Sequence, residues 1–302
     1  MHLGRLWARF AEIAATNPEA WDQSSPTAER IATPGAGNRM LAAPYTKFLC
    51  SQMNVDMSAA MVFMSAGTAE AMAIPREKWV FPLGFGESNL MMPMPTRRDI
   101  HRWPAFALAA DRLFEQTGRS IGDVAHLDFY SCFPAAVQSF TNELDLAPDR
   151  DLTVTGGMTF GGGPLNHYTF HSVVTMARLL RADPGAVGLT TSVSGLLTKP
   201  AVALWSTDPG DRPMAVVDVT EEATQATARV EVDGDVTGAG TVVGCTVLYD
   251  GSEPSDAVAV VQIGDVRTVA LTQDRDVADS MLEEEWVGRD VTVRTAGSLT
   301  LS

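Results

Sequence analysis

Phe129-Tyr130-Ser131-Cys132-Phe133-Pro134 closes one apolar run and opens another. The stretch reads as the end of a strand over 127–130 followed by a helix over 134–144. Polar side chains at the carboxyl end of an α/β strand are well placed to line a site, and Tyr130, Ser131 and Cys132 stand there together. The same residues also fit a buried strand end with satisfied hydroxyls. Downstream, Gly161-Gly162-Gly163-Pro164-Leu165-Asn166-His167-Tyr168 is a glycine loop that opens a helix over 171–180. Such a loop lets a ligand approach the backbone, and helix N-terminal amides favour an anionic group, although a tight turn needing positive φ explains the glycines equally. A third turn, Ser192-Val193-Ser194-Gly195, separates strands over 187–191 and 201–205. Its backbone amides suit a carbonyl oxygen, or it is an ordinary turn.

Around these turns the chain alternates helix and strand. Helices are expected over 1–17, with Leu3, Trp7, Phe10 and Ala14 on one stripe, and over 103–118. A strand is expected over 79–83, and the Ala/Met-rich run 57–73 is expected inside a layered fold as a buried strand or helix. The alternation predicts an α/β layered domain. From residue 215 the pattern changes to short β-rich runs over 216–219, 226–232, 241–249, 257–263, 267–271 and 291–294, broken by an acidic helix over 276–285. This reads as a small β-barrel or sandwich. The charge distribution marks the same boundary: residues 212–302 hold 17 acids and 6 bases, most of the net charge of −15. The expected organisation is a helix and loop region over 1–45, an α/β domain over 46–208 and a β domain over 214–302.

Composition removes several function classes. An acidic chain without a Lys/Arg cluster repels phosphate backbones, so nucleic acid is not an expected partner. No apolar run approaches the ~20 residues of a membrane span, so no membrane association is expected. Cys50, Cys132 and Cys245 form no CxxC pair, which suggests neither a zinc site nor a disulfide framework; no metal is expected, and reduced thiols suit a cytoplasmic protein. The loop 161–168 lacks the spacing of a nucleotide-phosphate motif.

Taken in order, the three turns resemble the C-terminal half of the thiolase superfamily. Tyr130-Ser131-Cys132-Phe133 stands in the place of the thiolase Asn-Glu-Ala-Phe box, or of His-Asp-Cys-Phe in the sterol-carrier-protein thiolases. Gly162-Gly163-Pro164-Leu165 matches the Gly-His-Pro-Leu box. Ser192-Val193-Ser194-Gly195 lies where the second catalytic Cys-x-Gly stands, and the run from Cys50 to Ala60 looks like the stretch ending in Asp-Gly-Ala-Ala. The resemblance covers about residues 40–206 and is strongest to thiolase-like proteins of type 1, the acetyl-CoA acetyltransferase-like group. Those carry an additional C-terminal domain, so the expected fold is α/β: a thiolase-like layered C-terminal half followed by a small OB-like β-barrel. The resemblance implies an acyltransferase of lipid metabolism that acts on or binds acyl-CoA, with no cofactor beyond that coenzyme A thioester. It also implies either a homo-oligomer or pairing with an N-terminal thiolase half.

The departures from the family are chemical. The nucleophilic cysteine belongs to the family's N-terminal half, whereas this chain starts at a helix resembling the family's middle region. Gly163 replaces the activating histidine, Val193 the second cysteine, and Tyr130 the group that positions an oxyanion-hole water. Without nucleophile, base and acid, Claisen chemistry by the usual route is not expected. Two other readings stay open. Retro-aldol cleavage of a β-hydroxy acyl-CoA needs no covalent nucleophile and makes Tyr130 and His167 the catalytic candidates. A non-catalytic acyl-CoA-binding or partner subunit needs only the pocket, with Ser131, Cys132, Gly162, Gly163, Asn166, Tyr168, Val193, Ser194 and Gly195 as its lining.

Overall fold

The computed structural model describes residues 2–147, 149–294 and 299–300. The chain forms two compact units: Met1–Ala28 with Cys50–Met91 and His101–Ala226, and Glu29–Leu49 with Met92–Ile100 and Thr227–Ser302. The 1–45 region is therefore divided between them at residue 28.

The first unit is built on a five-stranded mixed sheet in the order Val124–Asp128, Val187–Val193, Pro200–Ser206, Phe81–Glu87, Ala215–Asp218. The first two strands run parallel, with Asp128 opposite Thr190, so their carboxyl ends finish side by side. Helix Pro104–Thr117 starts on proline, whose missing amide would have had no partner there, and stops at Gly118 in the left-handed conformation. It lies so close to the sheet that a Cβ at Gly86 would come within 2.6 Å of the Ala109 carbonyl oxygen. Behind the carboxyl end of Val124–Asp128, the rings of Trp103, Phe106 and Phe129 gather round Phe140, their centroids 4.4–5.1 Å from its own. This aromatic block makes the wall on which the Tyr130 turn rests.

The first helix, His2–Thr16, buries Trp7, Phe10, Ala11 and Ala14 as one stripe and ends before Asn17-Pro18. Three expectations are corrected along the chain. Ala215–Asp218, read as the start of the β domain, pairs in parallel with Phe81–Glu87 and edges the first sheet. The next segment, 226–232, contains only the short strand Glu231–Val232, preceded by an unforeseen helix, Thr220–Ala226, whose first turn carries Glu221 and Glu222. The run 57–73 is also not interior. It is irregular up to helix Ala66–Ala71, and Val62, Phe63 and Met64 are 81%, 66% and 40% exposed. Apolar composition alone does not supply the surface that would cover it.

The second unit is a curled sheet around an antiparallel meander of Gly238–Asp250, Glu253–Ile263 and Val266–Thr272. Two-residue hairpins begin at Gly251 and Gly264, both with positive φ. Val242, Val247, Ala257, Ala259, Val261 and Ala270 face a core closed by Val277 and Ala278 of helix Arg275–Glu283 and by Trp286. Arg267 donates to the carbonyls of Pro95, Arg97 and Arg98, which ties 92–100 to this unit. Among the described residues the end strands, Leu299–Thr300 and Glu231–Val232, do not pair with each other.

Candidate ligand-binding site

The strand Val124–Asp128 delivers Asp128, a fully buried carboxylate, to the base of the Tyr130 turn. Its Oδ1 accepts from Thr153 Oγ1 at 2.8 Å, Val154 N at 2.9 Å, Thr155 Oγ1 at 3.1 Å and Thr155 N at 3.3 Å. Its Oδ2 accepts from the Tyr168 phenol at 2.9 Å. These donors fasten the strand leading into the glycine loop, and the helix leaving it, to one carboxylate. Thr153 Oγ1 accepts in turn from the amides of Gly156 and Gly157, both at 3.1 Å.

The loop itself runs through a π-helical turn, Gly157–Gly161, flanked by Gly156 and Gly162 with φ of 93° and 102°. Its glycines are enforced by contact as much as by φ. A Cβ at Gly156 would lie 2.4 Å from the Ala14 Cβ, and one at Gly157 2.8 Å from Ser131 Oγ. The first helix thus lies directly against the loop, and Trp7 Nε1 donates to Thr159 Oγ1 at 3.0 Å.

Residues 50–52 bind the two turns together. Ser51 N donates to the Cys132 carbonyl, Gln52 N to the Met158 carbonyl and Gly163 N to the Gln52 carbonyl, each at 3.0 Å. Ser131 Oγ accepts from Met158 N at 2.9 Å. The third turn adjoins the first through Tyr130 N, which donates to Thr191 Oγ1 at 2.8 Å, two residues before Val193. All three turns therefore stand at one end of the sheet, where α/β folds place ligands.

The expected site residues separate into two groups. Ser131 and Tyr168 are fully buried. Their hydroxyls hold the loop and the Asp128 carboxylate, so they act from behind the surface. Gly162 and Gly163 are buried as well, with Met57 and Met158 respectively against them. Tyr130, Cys132, His167 and Val193 are half-buried, and Asn166, Ser194 and Gly195 are exposed. Tyr130 meets Tyr168 edge to face with ring centroids 6.0 Å apart, whereas His167 stacks on Phe170. A cleft of about 260 Å³ opens elsewhere in this unit, between Thr117–Arg119 and Pro209–Pro213, and includes none of these residues.

Burial governs the electrostatics. It pushes the Tyr130 phenol up to about 12 and the Cys132 and Cys50 thiols up to about 11. Tyr130 is consequently a hydrogen-bond donor at neutral pH and neither thiol is a nucleophilic thiolate. Burial and the Asp128 carboxylate also raise the Tyr168 phenol. Asp128, Thr153 and Thr155 did not stand out in the sequence; Asn17 read only as the end of the first helix and His171 as a structural residue. Asn17 Nδ2 donates to the Thr155 carbonyl at 3.0 Å and lies 3.4 Å from His171 Nε2. His171 is held below the usual histidine range by burial, and its Nδ1 has no hydrogen-bond partner among the described residues. The only sequence signal for the hub was an acid inside the apolar run Leu127-Asp128-Phe129. Among the described residues, no group of three His, Cys, Asp or Glu side chains is arranged to hold a metal ion, and no helix is long and apolar enough to cross a membrane.

Searches with known proteins give one kind of match. No protein-family model and no curated protein matches the chain. Among solved structures, the SCP2-thiolase like protein type 1 from Mycobacterium smegmatis, described as monomeric, superposes with a TM-score of 0.90 at 29% identity. The match covers 100% of this chain and 67% of that one. The fold is thiolase-like. About a third of the Mycobacterium smegmatis chain has no counterpart in this one.

Proposed function

We propose that this chain is a thiolase-superfamily, acetyl-CoA acetyltransferase-like protein that binds acyl-CoA at the three turns, and that it lacks the Cys/His/Cys set of a working thiolase. One observation carries the reading: the Tyr130 turn, the glycine loop and the 190–193 strand end are hydrogen-bonded to each other directly or through residues 50–52. Burial keeps the Tyr130 phenol and the Cys132 thiol at the surface of this cluster protonated at neutral pH. With Gly163 and Val193 inert, and with thiols raised to about 11, nothing here forms and breaks a thioester. Calorimetric titration with CoA and acetyl-CoA is expected to show saturable binding without free-thiol release. No heat at about millimolar ligand would overturn the binding reading, and sustained thiol release would overturn the non-thiolase one.

A second reading is supported by the Tyr130 phenol. A donor held protonated to about pH 12 suits an oxyanion or enolate oxygen, the acid half of a retro-aldol cleavage. In that reaction His167 takes the proton from the β-hydroxyl and Tyr130 receives the developing charge. Incubation with a branched β-hydroxy acyl-CoA is expected to release a ketone, and Tyr130→Phe to lower that rate about 100-fold. An unchanged rate removes Tyr130 from the mechanism.

The β-rich unit fits the additional C-terminal domain of type 1 thiolase-like proteins, with its curled sheet as the OB-like element. We also propose pairing with a thiolase-type N-terminal half in preference to self-association. The monomeric description of the Mycobacterium smegmatis protein, a third of which has no counterpart here, supports this choice. A cytoplasmic location goes with a CoA ligand and reduced thiols.

A further inference from the structure

The cleft of about 260 Å³ in the first unit lies between the end of helix Pro104–Thr117 and the loop that follows strand Pro200–Ser206. Ser206 stands opposite Val187, where the neighbouring strand begins, and the three turns gather at the other end of that sheet. Each wall of the cleft sends an arginine to the other. Arg212, from the loop, donates through Nη1 to the carbonyls of Glu115 and Gln116 at 3.0 and 3.2 Å, and a Cβ at Gly118 would lie 2.6 Å from its Cζ. Arg119, from beyond the helix, brings Nη2 to 3.8 Å from a Cβ at Gly210. The two differ in what they hold. A cation at a helix C-terminus answers its open carbonyls, so Arg212 has a structural task. Arg119 is half-buried and forms no side-chain hydrogen bond or ion pair among the described residues. The acids around it are otherwise engaged: Asp123 accepts from the Ser120 amide and hydroxyl at 2.7 and 2.8 Å, and Asp208 from the Gly210 amide at 3.0 Å. Asp211, in the lining, pairs with neither arginine.

We propose that this cleft is a second ligand site, which takes a small dianionic metabolite between Arg119 and the part of the Arg212 guanidinium not engaged by the helix carbonyls. A half-buried guanidinium held without a partner, with a second one lining the same cleft, is a binding surface for oxyanions, and guanidinium matches carboxylate and phosphate alike. The volume lies just below the roughly 300–1,000 Å³ of pockets for drug-sized ligands, which selects a small molecule. Pro209 and Pro213 restrict the loop, so little ordering is needed on binding. The inference stands apart from the acyl-CoA reading, because none of the expected three-turn site residues lines this cleft.

The test titrates the full chain with inorganic pyrophosphate and with succinate, followed by calorimetry. At least one probe is expected to saturate with a Kd of about 1 mM or below. Tighter binding of pyrophosphate assigns the site to phosphorylated metabolites, and tighter binding of succinate to dicarboxylic acids. Arg119→Gln is expected to weaken the tighter probe at least about tenfold and to leave the unfolding midpoint unchanged, since the side chain holds nothing in the free chain. Asp211→Asn removes the acid from the lining and is expected to strengthen the same probe about threefold, a gain that a merely structural role for these residues does not produce. Failure of both probes to saturate at about 10 mM overturns the site. Equal affinity in wild type and Arg119→Gln does the same by placing the probe elsewhere, and weaker binding in Asp211→Asn overturns the anionic character of the ligand.

Discussion

Asp128 shows how one side chain sets the geometry of a whole site. Among the described residues no cation pairs with it; neutral donors alone satisfy it, two backbone amides, two threonine hydroxyls and a phenol. Hydrogen bonds to an ionised group are the stronger kind, and the partners depend on it in turn, because Thr153, Thr155 and Tyr168 are buried. Asp128→Asn keeps a carbonyl oxygen for the Thr153–Thr155 donors but sets an NH₂ group against the Tyr168 phenol. The expected cost is about 1.5–3 kcal/mol in urea-induced unfolding, with Asp128→Ala costing more because the Val154 amide loses its acceptor and the Thr153, Thr155 and Tyr168 groups keep only their weaker neutral contacts. If the two substitutions lower the midpoint equally, the oxygen facing Thr153–Thr155 is not what matters.

At the scale of elements, the glycine loop is held from three sides: by the first helix, by Ser131 and by residues 50–52. Gly157→Ala sets a residue at φ 71° and also drives a Cβ to 2.5 Å from Phe10 Cδ1. Strain and overpacking together are expected to cost roughly 3 kcal/mol. Gly185→Ala, at φ 88° with nothing within 4 Å, carries strain alone and is expected to cost about 1 kcal/mol. Equal midpoints for the two variants in chemical denaturation would mean that the loop yields and the helix does not press on it. These elements also show what the sequence discloses. The three turns were legible because glycine, proline and small polar residues punctuate strands and helices locally. Asp128 was not, because a single acid in an apolar run is read only once its donors, some 25 residues downstream, are in place. The partner of Ala215–Asp218 is a strand 131 residues upstream, Gly84 pairing with Ala215, a non-local choice that periodicity does not encode. The run 57–73 misled for the converse reason: its apolar residues are adjacent in sequence, but nothing local brings a surface over Val62 and Phe63, which stand exposed.

For the whole molecule, pH separates the buried histidine from the hydrogen-bonded acids. Glu19, Asp123, Glu143 and Asp218 are held below their ordinary range by hydrogen bonds and nearby cations, so the stability they add is lost only as pH falls below about 4.5. His171 titrates in a different window. Burial lowers it, with the Arg178 guanidinium adding to the effect, and outweighs the opposite pull of Asp128 and Glu19. The unfolded chain then takes up a proton near pH 6.5 that the folded chain refuses. Stability must fall as pH drops below about 6.5 and level off once the folded imidazole is also protonated. His171→Gln removes the titrating group while keeping a polar side chain beside Asn17. The wild-type unfolding midpoint is expected to decline between pH 7 and pH 5, and that of the variant to stay nearly flat over the same interval. A decline of the same size in both would assign the loss to another group and leave His171 protonated in the folded state.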